Sequence, residues 1–145
     1  MLLKIGKEKW KMEHLRKKQF DITFINISKQ VSLLSRCKRA KVGAVIVKDE
    51  NIISFGYNGT PCGFCNTCED KNGDTKKEVI HAEANAILKA GKEAFNADLY
   101  LTLSPCVECC KLIKQSGIKK VYFLNNYRDL TGLKKLKIDY EQINL

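Results

Sequence analysis

Proline, histidine and tryptophan are scarce in this 145-residue chain, which has two, two and one of them. It has no Pro/Ser-rich linker, low-complexity tract or internal repeat, so it reads as one domain of ordinary size built on a single core. No window approaches the ~18 consecutive apolar residues of a membrane span, which excludes a transmembrane helix. The N-terminal residues 1–18 lack the apolar stretch of a secretion signal, and a cytoplasmic location is expected, the host's if the source is viral.

Acidic residues are also in deficit, 16 Asp and Glu against 26 Lys and Arg, for a formal charge of +10. That excess suggests an anionic partner: nucleic acid, nucleotide or membrane surface. Its make-up argues for restraint, because only Arg16, Arg36, Arg39 and Arg128 are arginines. The lysines lie mostly in the first 20 residues and the last third, without the interleaved aromatics and clustered arginines of a nucleic-acid face. Most of them read as solvated surface.

What the chain does have is cysteine, seven against the two histidines. Without a secretion signal, these read as metal ligands or reactive thiols before disulfides. Residues 1–13 look like a basic arm, followed by a helix to about 35 carrying Leu15, Ile22, Ile25, Val31 and Leu34. Val42–Lys48 and Ile52–Phe55 form a hairpin, and 56–78 is a long Gly- and Cys-containing loop of the kind that carries function. A helix over Ala82–Lys89, a strand Leu99–Leu103, and a helix opened by Ser104 as cap and Pro105 and stopped at Gly117 come next. A strand Val121–Leu124 and a short helix and strand complete the chain, an alternation that points to an α/β domain with a mixed sheet.

The chemistry is concentrated in His81-Ala82-Glu83 and Pro105-Cys106-Val107-Glu108-Cys109. His81, Cys106 and Cys109 offer three metal ligands, one fewer than a structural zinc site takes, which leaves a position for water. Cys106 and Cys109 stand three residues apart at a helix start, where one face presents both sulfurs and the dipole favours thiolate. Glu83 stands beside the ligands as an acid–base group able to move a proton from water to a substrate nitrogen. Cys110 points off this face and is expected in the core. His14 is expected to face solvent. Trp10 is expected to make a core contact, with anchoring on a neighbouring subunit as the alternative.

On these motifs the chain resembles the zinc-dependent cytidine deaminase superfamily, whose H-x-E…P-C-x-x-C signature it carries. Cys37-Lys-Arg39-Ala-Lys-Val-Gly43, Gly56-Tyr57-Asn58-Gly59-Thr-Pro61 and Tyr127-Arg128 are similar to the phage and bacterial deoxycytidylate (dCMP) deaminases within it. The resemblance implies a three-layer α/β/α sandwich with a mixed central sheet over residues 14–145. It also implies hydrolytic loss of ammonia from dCMP to give dUMP, supplying dTMP synthesis. A zinc-activated water would attack C4 of cytosine, Glu83 would shuttle the proton, and the Ala82 amide would donate to the base carbonyl.

By the same resemblance Asn58 contacts the deoxyribose, and Arg39, Tyr127 and Arg128 hold the 5′-phosphate; the bidentate arginine fork suits that group. Activation by dCTP with Mg²⁺, inhibition by dTTP, an effector site at Gly56, Tyr57, Asn58 and Gly59, and a homohexamer are further expectations. A second, structural zinc is expected on Cys37, Cys65 and Cys68, with Cys62 the weaker fourth; the rival reading is a cluster of free or redox-active thiols. The alternative function is a nucleic-acid deaminase acting on tRNA adenosine or DNA cytosine. A non-enzymatic zinc module is the third reading.

Overall fold

The computed structural model describes residues 1–127 and 129–145. The element order is α1 (Leu2–Ser32), β1 (Gly43–Lys48), β2 (Asn51–Tyr57), α2 (Ala82–Ala90), β3 (Asp98–Leu103), α3 (Val107–Ser116), β4 (Lys120–Asn125), α4 (Thr131–Lys135) and β5 (Asp139–Gln142). Among the described residues the strands form one sheet in the order β2-β1-β3-β4-β5. The β1 strand is antiparallel to β2 and to β3, whereas β3, β4 and β5 run parallel, so the sheet is mixed.

Successive residues of a strand face opposite sides, and the central strands here are apolar on both. From β1 and β3, Val45, Val47 and Tyr100 meet Phe24, Ile25 and Val31 of α1. Ala44, Ile46, Leu99 and Leu101 point the other way, onto Ala82 and Ala86 of α2, Cys110 and Ile113 of α3 and Leu133 of α4. Helix, sheet and helix make three layers, as expected. The α1 layer also holds a polar knot. Tyr100 donates to Asp21 at 2.5 Å, and Lys17 reaches both Asp21 and the Tyr122 hydroxyl.

Two boundaries differ from expectation. The first helix begins at Leu2, so residues 2–13 are helical and continuous with α1. Trp10 makes no core contact there; it is 66% exposed and stacks on His14. The cap of α3 is Cys106, not Ser104, because Cys106 keeps an extended backbone and its sulfur accepts the Cys109 amide. Ser104 is instead buried, bonding Asn126 and the Tyr127 amide.

Candidate active site

One end of the sheet gathers the chain segments that matter. The segment entering β1, the end of β2, the start of α2, the β3–α3 turn and the end of β4 all open on one cleft. Gly56 sets the distance between two of these elements. A Cβ there would lie 2.4 Å from the Ala82 carbonyl oxygen and 2.5 Å from the Ala86 amide, so its absence lets β2 and α2 approach.

His81 is the cap residue of α2 and Cys106 that of α3, and the two helix starts face each other. His81 Nδ1 lies 3.6 Å from Cys106 Sγ and 3.3 Å from Cys109 Sγ. Among the described residues, His81, Cys106 and Cys109 form the one group of three whose donor atoms could share a metal ion. A tetrahedral zinc with ordinary Zn–S and Zn–N bonds separates sulfur and nitrogen by about 3.5 Å. The donor set and its spacing therefore fit zinc.

The hydrogen bond from the Cys109 thiol holds the Cys106 thiol down to about 3, in spite of burial. That bond and burial push the Cys109 thiol up. Glu83 is buried, with Oε2 3.5 Å from Cys109 Sγ, and its burial pushes the carboxyl above the usual carboxylate range. Cys110 is fully buried, and burial pushes its thiol up to about 12, as befits an inert core residue.

Of the expected substrate contacts, Arg39, Asn58, Ala82 and Tyr127 all line the cleft. Arg128 lies outside the described residues. Ala82 is the first residue of α2, where an amide has no partner within the helix. The Asn58 carboxamide is largely engaged in the wall. Its Oδ1 accepts the Val42 amide and its Nδ2 donates to the Ala40 carbonyl, both at 2.9 Å. One N–H and one lone pair remain for a ligand. Of the expected effector residues, Gly56 faces α2, and Gly59 pairs with Ile80 in an isolated bridge.

The expected four-cysteine zinc site is corrected. Cys37 and Cys68 are disulfide-bonded to each other, so their sulfurs are not thiolate ligands. Cys62 and Cys65 are exposed in the loop, and Cys65 Sγ lies 3.4 Å from the Thr67 hydroxyl. The sequence reading missed Glu69. It also lines the cleft, and its Oε1 accepts the amides of Lys38 at 2.7 Å and Arg39 at 3.0 Å. No spacing rule links residues so far apart; the only signal was an acidic residue inside a long loop.

The model of the cytidine and deoxycytidylate deaminase zinc-binding region matches residues 18–125. A deoxycytidylate deaminase of Mycobacterium phage D29 is 39% identical over 119 residues, covering 72% of this chain and 93% of the phage protein. ComE operon protein 2 of Bacillus subtilis (strain 168) is 42% identical over 112 residues, covering 72% of this chain; the match spans 59% of that longer protein. The crystal structure of the dCMP deaminase from cyanophage S-TIM5, in complex with dCMP and dUMP, superposes with a TM-score of 0.81 at 40% identity. That match covers 86% of this chain and 97% of the cyanophage chain.

Proposed function

Because the chain belongs to the cytidine and deoxycytidylate deaminase family, we propose that it catalyses the zinc-dependent hydrolysis of dCMP to dUMP and ammonia. The observation that carries this reading is the His81, Cys106 and Cys109 group with the buried Glu83 carboxyl beside it, His81, Cys106 and Glu83 lining the cleft. Bound there, zinc supplies Lewis-acid activation of water. The chain's own groups do the rest. Glu83, shielded from solvent, takes a proton from water, places it on N3 of the base and returns one to the departing amine. Water adds at C4, the C4–N4 bond breaks and ammonia leaves. The Ala82 amide orients the base through its carbonyl oxygen, and Arg39, Tyr127 and Arg128 hold the 5′-phosphate.

Ammonia release from dCMP by the zinc-loaded protein tests this. Glu83→Gln is expected to lower kcat by about 10²–10⁴ with zinc content unchanged. Unchanged turnover in the variant would refute the acid–base role, whereas no ammonia release by the zinc-loaded parent from dCMP, tRNA or single-stranded DNA would favour a non-enzymatic zinc module. Release of ammonia from a tRNA or single-stranded DNA oligonucleotide and not from dCMP would favour a nucleic-acid deaminase.

Regulation and assembly belong to the same reading: activation by dCTP with Mg²⁺, inhibition by dTTP, effector contacts at Gly56, Tyr57, Asn58 and Gly59, and a homohexamer. A sigmoidal rate curve in dCMP that becomes hyperbolic with dCTP supports it. A hyperbolic curve that neither triphosphate moves counts against it.

A further inference from the structure

One wall of the cleft is residues 36–42, a segment with no helix or strand of its own. Its shape is imposed from outside. Asn58 grips it at Ala40 and Val42, and the Cys37–Cys68 disulfide ties its start to the long loop. Beside that disulfide, Glu69 brings one carboxylate oxygen onto the successive amides of Lys38 and Arg39. Consecutive amides converging on one oxygen are how backbone holds an anion, and bonds to a charged acceptor are the stronger kind. These amides, that of Arg39 first, hold the Glu69 carboxyl below the usual carboxylate range.

We propose that Glu69 is a positioning residue for the substrate phosphate, fixing the backbone of Lys38 and Arg39 and so the point at which the Arg39 side chain meets that phosphate. The proposal rests on the reading of Arg39 as a phosphate contact. A carboxylate near an anionic substrate is repulsive unless its charge is taken up elsewhere, and here two amides take it.

Steady-state ammonia release from dCMP, with zinc content and thermal melts alongside, tests this on Glu69→Ala, Glu69→Gln, Glu69→Asp and Arg39→Ala. Glu69→Ala is expected to raise KM about tenfold, the worth of roughly one charge-assisted bond between a displaced Arg39 and the phosphate, with kcat and zinc content held. Glu69→Gln keeps an oxygen that can accept both amides and should restore most of the KM. Glu69→Asp keeps the charge but is one methylene short, and should raise KM more than Gln does. The double variant Glu69→Ala/Arg39→Ala should be no worse than Arg39→Ala, because the first acts through the second.

Three results overturn the proposal. In the first, Glu69→Ala leaves KM alone while Arg39→Ala raises it, so Arg39 needs no positioning. In the second, kcat and zinc content fall with KM unchanged, which marks a structural prop. In the third, Arg39→Ala leaves KM alone, and the phosphate reading falls together with the proposal. If Glu69→Ala does not fold, the order of the other two decides, and a larger KM for Gln than for Asp rejects the proposal.

Discussion

Asp98 opens β3 with its Oδ1 buried and, among the described residues, without a hydrogen-bond partner. Burial raises its carboxyl above 3.8, although Lys119, Lys17 and Lys120 pull the other way and Asp21 adds to the rise. A carboxyl raised on folding stabilises the fold only while protonated, so stability falls as pH climbs from 3.8 through the raised value. Asp98→Asn removes that loss. The variant is expected to melt at a higher temperature than the parent at pH 7, and the difference should shrink towards pH 4. An advantage that grows as pH falls would show the sign to be wrong. Nothing in the sequence marked this residue, since its cost comes from where α1 lies against the sheet.

At the scale of elements, Gly56 joins structure to chemistry. Alanine there would drive a Cβ into the backbone of α2, the helix that begins next to His81 and carries Glu83. Overpacking of this kind costs about 1–3 kcal/mol. Gly56→Ala should lower the urea midpoint accordingly and weaken zinc retention in a chelator competition, and a variant with parental zinc affinity would separate the two elements. The strands around it were legible in the sequence. Val42–Lys48, Leu99–Leu103 and Val121–Leu124 are apolar runs because the fold covers both faces of the central strands. The metal group was legible too, because its ligands come in two short motifs at helix starts. Residues 2–13 were misread because they are good helix formers without an apolar stripe, so propensity alone carries that helix. The link from Glu69 to Lys38 and Arg39 was invisible, as it spans 31 and 30 residues between two irregular segments.

The molecule as a whole is a layered body with a long first helix. The helix has 31 residues, about 45 Å at 1.5 Å per residue, and residues 1–19 are exposed throughout. The buried α1 contacts start at Asp21, and the family match starts at residue 18. Deleting residues 1–13 is expected to leave kcat for dCMP and the melting temperature within error of the parent. A large drop in either would mean that the projecting helix is part of the folded core. The same deletion, followed by light scattering, reports whether that helix takes part in assembly.

Cys106 has two employments in this fold. Its sulfur is one of the three metal donors, and it accepts the Cys109 amide at the first turn of α3. A sulfur in that position cannot swing away from the ion without also uncapping the helix behind it. Movement of that sulfur off the ion would thereby loosen the α3 start. Hydrogen exchange of the Val107–Cys109 amides should accelerate when the ion is stripped by a chelator and slow when it is restored.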